Sequence, residues 1–402
     1  MLKPVLVLSC LLQSSLAARA EPRPITLDEA LRRAEELSPA ARMAVLGVDR
    51  ARAEANASGL WPNPGLLLVR EESAGVVESF ASLTQELPWS GRLGLERSAA
   101  RAGLLAAEAA ARQERVDLRA RVRESFIDLL LAQERAAAIE AGRIRLGGLV
   151  ETLRAREREG ESSGFDRMRA ERELAEVEAD QIEEGGRLVA ARSGLSALVS
   201  WPAEGLTASG RLEGAADFPA LEQLRPILAT RGDVVAIRAE AQSADLRAQA
   251  ARRRSIPEPT LAVGAKSTKA GDLEDTGPTL AIGFPLPIFD RGQAAGAGRA
   301  EASLLLARHD SLARLAEAEV EARHAEAIAR REAERAYADA ADPEELVRIA
   351  NGAYEEGAMG ILELLDAGRT ALAVRLRILG LRAAARRAEV ALGRALGQEV
   401  TP

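Results

Sequence analysis

Pro257-Glu258-Pro259-Thr260-Leu261-Ala262-Val263-Gly264-Ala265-Lys266, continued by Thr279-Leu280-Ala281-Ile282-Gly283-Phe284-Pro285, is the stretch that decides the fold. Two prolines stop the helix-type sequence before it. The residues then alternate. Leu261, Val263 and Ala265 point one way and Thr260, Ala262, Gly264 and Lys266 the other. In the second run Leu280, Ile282 and Phe284 oppose Thr279, Ala281 and Gly283. One face is apolar and the other small or polar, which predicts a β-hairpin at about 260–285 with one greasy face.

The same arrangement occurs earlier in the chain. Trp61-Pro62-Asn63-Pro64 matches Pro257-Glu258-Pro259 at an offset of 195, and Leu87-Pro88-Trp89-Ser90-Gly91-Arg92 matches Leu286 to Arg291 at an offset of 199. Glu159-Gly160 and Phe165-Asp166 align with Glu356-Gly357 and Leu362-Glu363 at an offset of 197. Three landmarks at nearly one offset argue for internal duplication. Between them the periodicity is helical. Thr26 with Glu29 forms a capping box that opens a helix over 26–59. After strands at about 65–72 and 77–87, helix-type sequence runs unbroken to about Arg158, along a stripe of Leu118, Val122, Phe126, Leu129, Leu146, Leu149 and Leu153. At 1.5 Å per residue such a helix is on the order of 100 Å long, which no compact domain accommodates. The domains read as a first repeat over 21–199, a connector over 200–222 and a second repeat over 223–402.

Composition agrees. Of 402 residues 47% are apolar but only 3% aromatic, and the apolar share is largely Ala and Leu mixed with Arg and Glu. The net charge of −7 comes from interspersed signs and suggests no nucleic-acid patch. Cys10, the single cysteine, excludes disulfides, zinc knuckles and a cysteine nucleophile. Residues 1–20 read as a secretory signal: Lys3, the apolar run Val5–Leu12, then Ala18-Arg19-Ala20 as the cleavage site. A rival reading makes Cys10 a lipid-attachment cysteine, which Val7-Leu8-Ser9 fits poorly. Past residue 20 no run is long and apolar enough for a membrane helix.

Two readings of the strands stand side by side. They are ordinary hairpins packed on helices, or they are membrane strands. Trp61, Phe80, Trp89, Phe284 and Phe289 lie in or beside them, where an interfacial girdle needs aromatic residues. Four strands cannot close a barrel, so membrane strands require oligomerisation.

At this point the residues resemble a family, the TolC-type outer-membrane efflux proteins, over essentially the whole mature chain. The motifs are Ile25-Thr-Leu-Asp-Glu-Ala-Leu31, the Trp-Pro-Asn-Pro segment, the duplicated Gly-to-Asp/Glu turns and Leu362-Glu-Leu-Leu-Asp-Ala-Gly-Arg-Thr370. Pro285-Leu-Pro-Ile-Phe-Asp-Arg-Gly-Gln293 looks most like the CzcC-type branch, associated with heavy-metal efflux. The resemblance implies a mainly α fold with a β-hairpin minority, assembled as a homotrimer. Its twelve strands form one outer-membrane β-barrel, and its helices continue as a long periplasmic α-helical barrel. It implies an efflux channel for small solutes or heavy-metal cations, working with a periplasmic adaptor and a proton-driven inner-membrane pump. Such a tube needs neither a catalytic group nor a cofactor.

The resemblance also carries site residues. Glu363 and Asp366, three apart on one helix face, occupy the positions of an acidic constriction; in a trimer they form two stacked carboxylate rings that favour cations. Tyr354 and Asp166 match a pair that hydrogen-bonds between neighbouring helices and holds the tunnel end shut. Met359 stands where the family's best-known member has an arginine, so a gate with fewer polar contacts is expected. Gly160, Ser162, Ser163 and Gly164, with Gly357, Met359 and Gly360, form two tight turns, which the resemblance makes the docking tips for the adaptor's helical hairpin. Glu321-Ala-Arg-His324 is one Glu-x-x-His spacing, where a carboxylate di-metal bundle needs two, and reads as a solvated helix face. The alternative from another class is a soluble periplasmic coiled-coil connector or adaptor.

Overall fold

Prolines and single capping side chains punctuate a chain that is otherwise helical. The computed structural model describes residues 24–160, 163–213, 217–289, 293–339 and 342–398. Residues 1–20, which read as a secretory signal and include Cys10, lie outside them, as does Ser162. The elements run β1 (Pro24–Ile25), α1 (Leu27–Leu37), α2 (Pro39–Ala57), β2 (Gly65–Ser73), β3 (Val76–Glu86), α3 (Arg92–Arg158), α4 (Gly164–Val199) and β4 (Thr207–Ala208). After these come α5 (Leu221–Leu224), a 3-10 turn (Arg225–Thr230), α6 (Gly232–Arg253), β5 (Thr260–Ala270), β6 (Leu273–Gly283), α7 (Gln293–Ala338), α8 (Pro343–Glu355) and α9 (Ile361–Leu396).

Two helices differ from the sequence reading. The segment 26–59 is not one helix. Thr26 caps α1, its Oγ1 accepting from Glu29 N at 3.2 Å, but Ser38 then starts a second helix, accepting from Ala41 N at 3.2 Å with Pro39 at the first position. The 67-residue α3 is unbroken, whereas its counterpart divides into a 46-residue α7 and a 13-residue α8 that opens on Pro343. Proline lacks the N–H that a continuous helix would need there.

The sheet has the order β2-β3-β5-β6, all antiparallel. Its register places Leu66, Leu83, Val263 and Leu280 in one cross-strand row, and Leu68, Ala81, Ala265 and Pro278 two residues further along the same face. Leu261 pairs with Ile282 on that face as well. The opposite face carries Ser82, Gly264 and Thr279 in one row and Glu78 and Thr268 in another, and it holds a Lys266–Glu78 ion pair of 2.8 Å. The run Leu66-Leu67-Leu68, which blurs the alternation in sequence, is resolved by pairing: Leu67 alone joins the row of Ser82, Gly264 and Thr279. Gly264 is obligatory, since a Cβ there would stand 2.1 Å from the Ala81 carbonyl oxygen.

The chain divides into two compact units. One takes Leu31–Glu124, Glu213–Asp342 and Gly380–Pro402, as far as these are described. It holds the sheet, and a core of Leu224, Leu228, Val320, Leu392 and Leu396. Where α6 meets α7, Ala241 and Ala244 pack on Ala302 and Leu305, and a Cβ on Gly298 would be 2.8 Å from that of Ala248. Small residues let these helices approach closely. The segments flanking the hairpins are tied together in the same unit. Leu87 N and Trp89 Nε1 donate to the carbonyls of Pro259 and Pro257 at 2.8 Å each, Ser90 Oγ donates to Glu258, and Arg92 Nη2 reaches Glu258 Oε2 at 3.1 Å.

The other unit takes the described part of Met1–Ala30, with Ser125–Leu212 and Pro343–Leu379. In it β1 and β4 form a short parallel pair, pinned by the Gln133 side chain, which accepts from Ala208 N at 2.7 Å and donates to Ala208 O at 3.1 Å. Deeper in this unit Glu184, almost fully buried, is compensated by Arg135 at 3.2 Å and Arg187 at 2.8 Å.

Candidate functional site at the helix tips

Two glycine turns create the site, and both lie in the unit just described. Gly160 ends α3 at φ +76° and Gly357 ends α8 at φ +73°, the left-handed conformation that closes a helix. Each is followed by a capped helix start. Ser163 Oγ accepts from Asp166 N at 3.2 Å to open α4. At α9 the roles differ: position 360 is a glycine without a capping side chain, and the Glu363 carboxylate reaches back to accept from Gly360 N at 2.7 Å. That is the return half of a capping box.

Beneath the turns the helix ends share a core of Val150 and Leu153 from α3, Ala170 from α4, Ala350 from α8, and Ile361, Leu364 and Leu365 from α9. Tyr354 and Met359 flank it. Met359 therefore adds apolar packing at the tip. Next to this core a cleft of about 800 Å³ opens, with Leu149, Val177, Leu365 and Leu372 as its apolar wall and Glu173 and Arg369 among its polar lining.

Arginines dominate the polar contacts. Arg154 donates to Glu151 at 2.6 Å and to Glu171 at 2.7 Å, while Arg167 donates to Glu157 at 2.6 Å and Glu171 at 2.7 Å. With donors from both Arg154 and Arg167, the Glu171 carboxyl sits below its ordinary pKa. Arg369 grips Glu173 with two nitrogens, 2.8 Å at Nε, which raises its already high pKa. The sequence reading missed this bridge. Arg369 is in the quoted segment 362–370, but its partner is 196 residues away on α4, and no spacing rule links them.

Of the sequence-predicted residues, Glu363 and Asp366 are both exposed on the first turns of α9. The Glu363 carboxylate is engaged with the Gly360 amide, whereas among the described residues Asp366 makes no hydrogen bond or ion pair with its side chain. Tyr354 and Asp166 lie on the two different tips, and no hydrogen bond joins them. The Tyr354 hydroxyl instead accepts from Arg156 Nη1 at 3.4 Å. Gly160, Ser163, Gly357 and Gly360 are exposed, and Gly164 and Met359 half-buried. His324 hydrogen-bonds the Pro219 carbonyl at 2.8 Å, a packing role.

Residues 224–398 match the family described as "Outer membrane efflux protein". Over that part of its length the chain is similar to the outer membrane efflux proteins. A relative from Cupriavidus metallidurans, the cobalt-zinc-cadmium resistance protein CzcC, is 27% identical over 385 residues, covering 93% of this chain and 90% of that protein. Among solved structures, one of CusC, described in terms of folding and transmembrane channel formation, superposes with a TM-score of 0.76 at 21% identity over 96% of each chain. The outer membrane protein VceC of Vibrio cholerae gives 0.74 at 18% identity, over 93% of this chain and 96% of that one. At those identities the superpositions speak for the fold alone, and the chain shares it across nearly all its length. Among the described residues no helix is long and apolar enough to cross a membrane.

Proposed function

We propose that the chain is the outer-membrane channel of a tripartite efflux system, assembled as a homotrimer with most of each chain in the periplasm. The observation that carries this is the sheet. Leu66, Leu68, Leu83, Val263, Leu280 and Ile282 share one face and are 55–71% exposed. Water penalises such a face, and lipid does not. Among the described residues the β2 and β6 edges are unpaired, and in a bilayer every backbone group must be bonded. Pairing β2 of one copy with β6 of the next in a three-membered ring closes a twelve-stranded barrel and leaves no edge. A soluble connector would have no use for this face. The duplicated order of helix, hairpin and long helices then supplies equivalent walls for a tunnel.

At the tips, Asp366 is the charge that meets a passing solute, and Glu363 serves mainly as the cap that fixes the first turn of α9. Rings of Asp366 carboxylates favour cations, and heavy-metal cations are the cargo class that the CzcC relative suggests. The exposed Gly160, Ser163, Gly357 and Gly360 mark where a periplasmic adaptor engages, and through it a proton-driven pump.

The test is conductance of detergent-purified protein in a planar bilayer under a salt gradient. A trimer with cation-selective currents is expected. Asp366→Asn should abolish the selectivity. Glu363→Gln should keep it, because the amide oxygen of Gln still accepts from Gly360. A monomer that stays in solution without detergent would sink the channel reading.

A further inference from the structure

Arg156, in the last turn of α3, has no carboxylate partner among the described residues, yet its guanidinium is engaged across the tip. Arg154 and Arg167 on either side of it are each held by two glutamates. Arg156 points elsewhere. Its guanidinium carbon stands 5.6 Å from the centroid of the Tyr354 ring, and Nη1 is 3.4 Å from the phenol oxygen. These two residues are 198 apart in sequence, one at the end of the α3–α4 hairpin and the other at the end of α8. Tyr354 in turn leans on the core formed by Val150, Leu153, Ala350 and Ile361. The backbone immediately beyond it makes the tight closure at Gly357, with Ala358 N and Met359 N both donating to Ala353 O at 2.8 and 3.1 Å.

We propose that Arg156 is the latch of the tip: a cation resting on the Tyr354 ring that holds the end of α8 against the end of α3. The inference rests on the channel reading for its consequence in transport, but not for its physical content. The geometry favours the ring over the hydroxyl as the main partner. The hydrogen bond is long and the phenol is its acceptor, whereas the guanidinium lies within the roughly 6 Å range of a cation–π contact. Two features make this contact suited to release. Being electrostatic and half-buried, it is weakened by salt. It also holds α8, a short 13-residue helix whose start is marked by Pro343.

The ranking of variants follows from that chemistry. Arg156→Met keeps the aliphatic bulk and removes the cation, so it should release the tip. Tyr354→Leu removes the ring and should do the same. Tyr354→Phe keeps the ring and should stay near the parent, as should Arg156→Lys, which keeps a cation. A latch of ordinary cation–π strength corresponds to about a two- to fivefold change in the population of the released tip. Hydrogen exchange of the amides at 350–360 in the full-length detergent-solubilised protein reads that change directly, with Arg158→Met as control because, among the described residues, Arg158 bonds the Arg154 carbonyl of its own helix and no residue of α8. Open probability of the same proteins in bilayers reads its consequence. Faster exchange in Arg156→Met and Tyr354→Leu, with Tyr354→Phe and Arg156→Lys unchanged, is the expected result. Exchange in Arg156→Met equal to the parent overturns the latch, as does Tyr354→Phe loosening the tip as much as Tyr354→Leu. A parent protein that never conducts would count against the channel reading and leave the exchange comparison able to decide the latch.

Discussion

Glu258 is the residue on which the junction between sheet and helix turns, and its removal has a calculable effect. Its side chain is 9% exposed, and that of Arg92 18%. Glu258 accepts from Ser90 Oγ and from Arg92 Nη2, while Arg92 Nη1 also reaches Glu96 at 3.0 Å. Breaking a buried pair by deleting one partner costs about 3–5 kcal/mol when the other charge is abandoned. Here Arg92 keeps Glu96, so Glu258→Gln should cost less, about 2 kcal/mol, in the range for hydrogen bonds to charged groups. Arg92→Met leaves the more buried carboxylate with only Ser90 and should cost about 3 kcal/mol by the same reasoning. The double variant should then be milder than the two single losses combined, by at least about 1 kcal/mol of coupling. Unfolding can be followed by the fluorescence of Trp89, whose indole N–H is bonded to Pro257 next door. There is a pH signature too. Burial pushes the Glu258 carboxyl up, but the Ser90 and Arg92 hydrogen bonds more than offset this and its pKa lies below the ordinary value. A carboxyl depressed in the folded state contributes stability that is fully present above its unfolded pKa, about 4.3. That contribution is lost as pH falls through the lower folded value, so the parent should lose stability below about pH 4 more steeply than Glu258→Gln. Additive single losses, with identical acid profiles for parent and Glu258→Gln, would refute the reasoning.

Two further predictions concern the sheet. Ala74 adopts φ +49° beside Gly75 at φ +80°, a two-residue turn in which both positions are left-handed and Asn-Gly is preferred. Ala74→Asn or Ala74→Gly should raise stability by about 0.5–1 kcal/mol by relieving that strain, measured as a shift in the thermal midpoint of the detergent-solubilised protein. Gly264→Ala should cost about 1–3 kcal/mol in the same assay, because its Cβ would meet Ala81 backbone oxygen at 2.1 Å, while Gly277→Ala, with nothing within 4 Å, should be close to neutral. Equal effects at the two glycines would mean that the strands approach less closely than described.

What the sequence discloses and what it withholds divide along a physical line. Periodicity is local, so the alternation at 260–266 and 279–284 already places Leu261, Val263, Leu280 and Ile282 on one face, and the pairing of Leu261 with Ile282 and Val263 with Leu280 agrees. Helix breaks are also local, yet those at Ser38-Pro39 and at Pro343 were missed. Ser38-Pro39 is as strong a start signal as Thr26, but helix-type residues continue on both sides of it, and that composition does not mark a cap placed between two helices. Side-chain pairing over long separations is not local at all. Glu258 was legible as a residue between two prolines and not as the partner of Arg92, 166 positions away; Glu173 gave no sign of Arg369, nor Arg156 of Tyr354. The tip shows why this matters for function. Two carboxylates three apart on a helix look interchangeable in sequence, and the expectation treated Glu363 and Asp366 as equal rings. One backbone amide separates them: the Glu363 carboxylate accepts from Gly360 N, and among the described residues the Asp366 side chain makes no hydrogen bond or ion pair, so in the proposed channel Asp366 is the charge that faces a solute. A Ser at position 360 would complete the box, its Oγ accepting from Glu363 N while the Glu363 carboxylate keeps the 360 N–H. In the bilayer assay Gly360→Ser should therefore leave cation selectivity at the level of the parent. A raised selectivity would mean that Glu363 is released and that the capping-box pairing does not hold.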